Sequence, residues 1–333
     1  MIEPMLYASS FPTLIAAGAI NAGFAVPMKF MRKWPWENIW LVWALFALLI
    51  LPLGLGVLAI PGFTRLFLPL SAPVLTMALF GALWGMGQVL FGIALEAIGI
   101  SLATAIMLGV SIAVGTLVPL IVSGGNRLSA LRVVALIAAV GLAVAGVALC
   151  ARAGQRLQAG TPAPRRGITY AVGAGLGAGL FNFSMAFGGT LMAKAARAGS
   201  QPAWAQLAAW TPFLLAGAVM NVGYCGVRLL RGKTYRQFAV HGTISYWLRG
   251  ILMAVLWLGS ALLYGVAVRQ MGNLGAVFAW PVYMSLIVLG TAAAGLLAGE
   301  WRAASRSALL TMSGGLAVLV VAVFAISRVQ HGW

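Results

Sequence analysis

Of the amide side chains inside long apolar segments of the chain, where an unbonded polar group is costly, three are candidates for binding a ligand. They are Asn21, Gln88 and Asn182. An amide carries both a carbonyl acceptor and an NH2 donor, so it can hold a hydroxyl group of a neutral ligand. The alternative is that each amide bonds a neighbouring helix and serves only packing. Asn21 and Asn182 recur in the matching patterns Gly18-x-x-Asn21 and Gly179-x-x-Asn182, so we interpret the amides as ligand-binding groups.

Aromatic rings accompany these amides at helical spacing. Trp84 and Gln88 are four residues apart and therefore share one helix face. Equivalent or neighbouring positions in the second half of the chain carry four more rings: Trp257, Tyr264, Trp280 and Tyr283. Because ring faces cover C–H surfaces while amides bond hydroxyls, the pattern favours a small, neutral, polyhydroxylated ligand. Core packing is the alternative for each ring.

Acidic residues are scarce. Asp is absent, and Glu occurs only at positions 3, 37, 96 and 300. Glu96, at the end of the third apolar segment, is the candidate for carrying a coupling proton, and a charge resting among lipid headgroups is its alternative role. With two isolated histidines and no acidic cluster, the chain offers neither a metal site nor a Ser/His/Asp triad. We therefore expect no enzyme activity, no metal and no cofactor, with a proton as the candidate coupling ion; another cation, or no coupling, is the alternative.

The composition places these residues in a membrane. Of 333 residues, 62% are apolar and 8% charged. A helix needs roughly 20 apolar residues to cross a bilayer, and unpaired backbone amides are excluded there. The sequence therefore predicts an all-α membrane protein with ten spans, near residues 10–30, 39–60, 71–95, 100–122, 130–150, 167–192, 203–227, 249–268, 273–298 and 307–326.

The two halves of the chain are related. Residues 83–99 read LWGMGQVLFGIALEAIG and residues 256–272 read LWLGSALLYGVAVRQMG, with six identities in seventeen. Five spans per half is an odd number, so the second copy begins on the opposite side of the membrane and the repeats are inverted. We expect a first five-helix repeat over residues 1–155, a cytoplasmic linker over 156–166 and a second repeat over 167–333. Such paired halves are typical of transporters.

The basic residues predict the orientation. Fourteen of the 21 Lys and Arg residues lie in the loops after the first, third, fifth, seventh and ninth spans. Under the positive-inside rule those loops are cytoplasmic, which leaves both termini in the periplasm of an inner-membrane protein. The net charge of +17 is spread over short loops, which favours attraction to membrane lipids and excludes nucleic acid as a partner. Four tryptophans at span ends are expected to form an interfacial belt: Trp34, Trp36, Trp40 and Trp301.

Several longer motifs resemble those of the L-rhamnose-proton symporters, a branch of the drug/metabolite transporter superfamily. They are Lys33-Trp34-x-Trp36-Glu37-x-x-Trp40, Leu79-Phe80-Gly81-Ala82-x-Trp84-Gly85-x-Gly87, Val114-Gly115-Thr116-Leu117, Arg152-Ala153-Gly154-Gln155 and Glu300-Trp301. The resemblance spans nearly the whole chain. It implies a ten-helix inner-membrane carrier that imports L-rhamnose or a similar deoxy-sugar together with a proton.

The combined interpretation is a secondary transporter that alternates access around a midplane pocket. In it, the three amides bond hydroxyls of the sugar, and the tryptophans and tyrosines named above surround it. One alternative is a drug or metabolite exporter of the same superfamily, which would need a wider and less polar cavity. Another is a membrane-embedded sensor or lipid-modifying enzyme. The oligomeric state stays open.

Overall fold

The computed structural model describes residues 3–124, 128–157, 165–240, 242–297, 299, 301–302 and 304–331. Most of the predicted linker over 156–166 lies outside the described residues, as does Glu300. The described chain is helical apart from turns and short connections, so the all-α prediction is confirmed. Ten of its helical segments are long and apolar enough to cross a membrane, as the hydropathy pattern predicts.

The first five spans are α1 (Glu3–Gly23), a broken second span, α4 (Ala72–Ile98), α5 (Ile100–Pro119) and α6 (Ala130–Leu157). The second span consists of α2 (Trp36–Ala44), a π-helical segment (Leu45–Ile50) and α3 (Leu51–Ala59). The other spans are α7 (Arg165–Phe187), α9 (Leu207–Gly232), α10 (Ile244–Gln270), α11 (Gly275–Leu297) and α12 (Arg306–His331). Pro52 explains the break in the second span, because its missing N–H removes one helical hydrogen bond.

The sixth span is shorter than the sequence predicts. The apolar pattern predicts a helix to residue 192, but α7 ends at Phe187 and a separate helix, α8, covers Gly189–Arg197. Two consecutive glycines, Gly188 and Gly189, weaken the helix at this point. Helix α8 buries Leu191 and Ala195 and exposes Lys194 and Arg197, an amphipathic pattern typical of a helix lying at the membrane interface.

The helices pack in matching pairs. Helix α4 packs against α7 and α9, while α10 packs against α1 and α2; likewise α5 packs against α7, and α11 against α1. Helices α6 and α12 pack against each other. Every pairing in this set has its counterpart in the other half, as expected from two related five-helix repeats. The opposite orientation of the two repeats stays a prediction.

Glycine contacts bring the central helices together. A Cβ atom added to Gly177 of α7 would lie 2.7 Å from the Cα of Gly87 on α4, so the two backbones touch. A Cβ on Gly81 would overlap with the backbone of Phe213 on α9. Small residues at such crossings allow close approach in lipid, where packing rather than the hydrophobic effect holds helices together. Helix α4 is therefore held from two sides near Trp84 and Gln88.

The basic loops lie at one end of the helix bundle, which we call the basic face. On the predicted alternation of consecutive spans, the ends of α1, α4, α6, α9 and α11 share this face with the starts of the spans that follow them. Contacts join these ends: Arg249 Nη1 donates to Phe30 O at 2.7 Å, and Arg156 Nη1 donates to Ser307 Oγ at 2.8 Å.

Candidate functional site

A cavity of about 270 Å³ lies at the centre of the bundle, between α1, α2, α4, α5, α7, α10 and α11. Six of the predicted site residues line it: Asn21, Trp84, Gln88, Trp257, Trp280 and Tyr283. The sequence analysis did not identify several other lining residues: Trp40, Phe91, Thr104, Ser111, Phe181, Met284 and Thr291. The cavity therefore combines indole and phenyl rings with a few amides and hydroxyls.

Aromatic rings form one wall of this cavity. Trp84 and Trp257 lie 6.0 Å apart between ring centroids, and Phe181 lies 5.7 Å from Trp257. Phe181 also stacks on Trp280, at 6.2 Å with an interplanar angle of 27°. Gly115 leaves the room for Trp280, because a Cβ at that position would overlap with the indole ring. Phe181 directly precedes Asn182, but neighbouring residues of a helix point about 100° apart, so the sequence carried no signal for it.

A hydrogen-bond chain anchors Asn21 at the cavity edge. Asn21 Nδ2 donates to Tyr283 Oη at 2.8 Å, and Ser260 Oγ donates to Ala17 O at 2.7 Å. Since that bond uses the single hydroxyl proton of Ser260, the 2.7 Å contact between Tyr283 and Ser260 must have Tyr283 as donor. The chain holds Asn21 and Tyr283 in fixed positions, which preorganises this side of the cavity.

Asn182 and Tyr264 do not line the cavity. Asn182 is fully buried, and its Nδ2 donates to Gly115 O at 2.7 Å and to Ala276 O at 2.8 Å. Its Oδ1 accepts a hydrogen bond from Tyr264 Oη. These bonds use both donors and join α7 to α5, α10 and α11. In this conformation Asn182 therefore holds these four helices together beyond the cavity, on the side away from the basic face.

The two asparagines are nonetheless linked. Tyr264 and Tyr283 stack with their centroids 4.7 Å apart at an angle of 26°. Asn21 bonds one of these phenols and Asn182 bonds the other. The predicted pair of amides thus lies at the two ends of one stacked tyrosine pair.

Gln88 and Ser111 are the polar groups best placed for a ligand. Gln88 is half-buried and lines the cavity, and its side chain has no hydrogen-bond partner among the described residues. Ser111 is fully buried and lines the same cavity, and its hydroxyl is likewise unpaired in the described chain. An unpaired buried polar group is costly, and a ligand hydroxyl would satisfy it.

The cavity lies toward the basic face. Its lining includes the last turns of α1, the start of α2 and the first turns of α5, all of which belong to that side. A second cavity of about 220 Å³ shares Thr104, Leu108 and Thr291 with it and continues to Trp301. The cavity therefore extends toward the basic face, away from the hydrogen bonds of Asn182.

Neither Glu37 nor Glu96 lines the cavity. Glu96 is 61% exposed, and its Oε1 accepts a hydrogen bond of 2.7 Å from Arg228 Nη1. Glu37 on α2 is buried, with a side chain 9% exposed, and its Oε2 lies 3.9 Å from Arg228 Nε. Thr234 donates a hydroxyl bond of 2.9 Å to Glu37. Arg228 thus stands between two carboxylates on different helices, and the sequence analysis missed Glu37.

Two of the expected belt tryptophans are not interfacial. Trp34 is only 4% exposed and donates its Nε1–H to Gln237 O at 3.0 Å. Trp40 lines the cavity and donates to Asn221 Oδ1 at 3.0 Å. The belt prediction was wrong for both, because α9, α10 and the loop between them cover this end of the second span. Asn221 acts here as a packing amide.

Comparisons with known proteins identify the family of the chain. The family model described as L-rhamnose-proton symport protein matches residues 6–329. A protein of Cronobacter sakazakii named L-rhamnose-proton symporter is 30% identical over 327 residues, covering 92% of this chain and 93% of its own length. Proteins with the same name from Escherichia coli and Shigella dysenteriae serotype 1 are each 28% identical over 331 residues, with the same coverage. The chain therefore belongs to the L-rhamnose-proton symporter family.

Proposed function

We propose that this protein is a secondary transporter that imports L-rhamnose, or a closely related deoxy-sugar, together with a proton. The observation that carries the proposal is the central cavity, where indole rings face an amide and a hydroxyl that have no partner in the described chain. Ring faces suit the C–H surface of a sugar and its methyl group, while Gln88, Asn21 and Ser111 suit its hydroxyls. Family membership supports the same substrate.

The size of the cavity favours a monosaccharide over a drug. Its volume of about 270 Å³ lies just below the range of roughly 300–1,000 Å³ that is typical of sites for drug-sized ligands. An exporter of drugs would need a wider and less polar space. Together with the family match over residues 6–329, the cavity makes the exporter hypothesis the weaker one.

We further propose that this conformation is the inward-facing one, with the basic face in the cytoplasm and both termini in the periplasm of the inner membrane. Asn182 then closes the periplasmic side. If the two repeats are inverted copies, the outward-facing state exchanges their roles, so that Asn182 reaches the sugar and Asn21 takes part in closing the cytoplasmic side. No catalytic step belongs to this cycle, and no metal or cofactor is needed.

The proposed function is tested in proteoliposomes. Preloaded unlabelled L-rhamnose should drive counterflow of labelled L-rhamnose without any pH gradient. An inside-alkaline gradient should drive accumulation above the outside concentration, and a protonophore should abolish that accumulation but not counterflow. Net flux only from the cytoplasmic side of the protein to its periplasmic side would favour the exporter. Saturable binding without movement of solute would favour a sensor.

We propose that coupling depends on Glu37, Arg228 and Glu96, with Glu37 as the group that gains and loses the proton. The charge of the exposed Glu96 is stabilised by water, whereas a buried charge depends on the partners that the conformation provides. Glu37 is buried with Arg228 at 3.9 Å, and Tyr224 and Cys225 on α9 are the neighbouring titratable groups. Glu37 precedes Trp40 of the cavity by one helical turn.

Replacing either carboxylate by glutamine separates their roles. We expect Glu37→Gln to keep counterflow but to lose accumulation driven by a pH gradient, because the carried proton has no acceptor. Glu96→Gln should still accumulate sugar, at a reduced level, since Arg228 keeps one carboxylate partner. Loss of accumulation in Glu96→Gln with normal accumulation in Glu37→Gln would assign the proton to Glu96 instead.

A further inference from the structure

A further concave surface, distinct from the transport cavity and from the second cavity, lies between α5 and α6. It is a groove of about 420 Å³ that runs from Leu102 to Ala113 on α5 and from Val144 to Gln155 on α6. Its lining side chains are apolar except for Arg152 and Gln155 at one end. Gly109 deepens the groove, because a Cβ there would lie 3.5 Å from Val144.

The groove has the length of one membrane leaflet. Eleven helical rises separate Leu102 from Ala113, which corresponds to roughly 16 Å. One leaflet contributes roughly 15 Å to a hydrocarbon core of about 30 Å. The fourth span covers Leu102–Val122 and the fifth Ala130–Arg156, so the groove begins at the basic face and ends near the middle of both spans.

The polar end of the groove carries an available positive charge. Arg152 and Gln155 are both exposed, and neither side chain has a partner in the described chain. Arg156, one residue further, is instead occupied by Ser307 of α12. A guanidinium at headgroup depth binds phosphate oxygens through several N–H groups at once. An apolar slot with such a group at its headgroup end complements a lipid in both shape and charge.

We propose that the α5–α6 groove binds one acyl chain of an anionic phospholipid from the leaflet at the basic face, with the phosphate on Arg152 and Gln155. Ala105 and Ala151 line both this groove and the second cavity. Only small side chains therefore separate the acyl chain from the route that leads out of the transport cavity. A lipid in the groove fills the space beside α5 and stabilises the packing of α5 on α6.

The experiment measures thermal unfolding of the full-length protein in detergent, titrated with phosphatidylglycerol, phosphatidylcholine or inorganic phosphate. Phosphatidylglycerol should raise the unfolding midpoint of the wild type, and the other two should not. Arg152→Gln should need about fivefold more phosphatidylglycerol, from the roughly 1 kcal/mol that one basic residue contributes near an anionic surface. Ala148→Phe should lose the response, because Ala148 is exposed in the groove and the ring would fill it.

Arg132→Gln is the matched control, since Arg132 lies on α6 at its other end, away from the groove. It should respond as the wild type does. An equal response of all variants to phosphatidylglycerol would overturn the proposal. So would a full response to inorganic phosphate, or a change of oligomeric mass in Ala148→Phe that identifies the groove as a contact between two copies. The readout does not involve transport, so its outcome is independent of the proposed substrate.

Discussion

Replacing Gln88 by alanine should reduce the initial rate of L-rhamnose uptake by about tenfold or more, since two amide hydrogen bonds of roughly 0.5–1.5 kcal/mol each are lost. The stability of the protein should hardly change, because the amide has no partner in the described chain. Most mutations of buried polar groups change both ligand binding and the stability of the protein. Gln88 is the position where ligand binding separates from folding most cleanly.

The measurement is uptake of labelled L-rhamnose at concentrations below the KM, normalised to the amount of protein in the membrane. Gln201→Ala is the matched control, since Gln201 is an exposed glutamine outside the cavity. Gln88→Asn shortens the side chain but keeps the amide, and we expect an intermediate rate. Uptake at the wild-type level in Gln88→Ala would remove this residue from the site.

Replacing Gly177 by leucine should strongly destabilise the folded protein. Helices α4 and α7 touch through the backbones of Gly87 and Gly177, where an added Cβ would lie only 2.7 Å from a backbone atom. A leucine forces the helices apart, at or beyond the upper end of the roughly 1–3 kcal/mol that overpacking costs. The displacement also moves Trp84 and Gln88. Both lie on the face of α4 between its glycine contacts with α7 and with α9.

Gly141→Leu is the control for this substitution. Gly141 lies on α6 and is exposed, and a Cβ there would have open space around it. Leucine favours a helix more than glycine does, so this variant should fold at least as well as the wild type. The check is size-exclusion chromatography in detergent with the thermal midpoint of the soluble fraction. A monodisperse Gly177→Leu variant with a normal midpoint would contradict the backbone contact.

The pattern of apolar runs was sufficient to predict the ten spans, because lipid permits only helices with internally paired backbones and excludes most other solutions. The break after Phe187 was missed, since hydropathy continues through Gly188 while the helix does not. Helical spacing also placed Trp84 and Gln88 on one face, and both line the cavity. Local spacing along a single helix could be read from the chain without knowing its neighbours.

Relations between helices could not be read in this way. Asn21 and Asn182 have equivalent sequence positions, yet one borders the cavity and the other is fully bonded beyond it. A transporter occupies one conformation at a time, and in any single conformation equivalent residues of two related halves have different surroundings. Sequence similarity shows that the halves are related but contains no information about which side is open.

The same distinction holds for the charged and aromatic residues near the basic face. The chain by itself determined the membrane location, the number of spans, the scarcity of carboxylates and the family, since each follows from composition or from motifs within one segment. Only the tertiary structure placed Glu37 and Glu96 on the same arginine and turned Trp40 toward the cavity. Those placements depend on the packing of α2 and α4 against α9, which follows both of them by more than a hundred positions in the chain and meets them only after the helices associate.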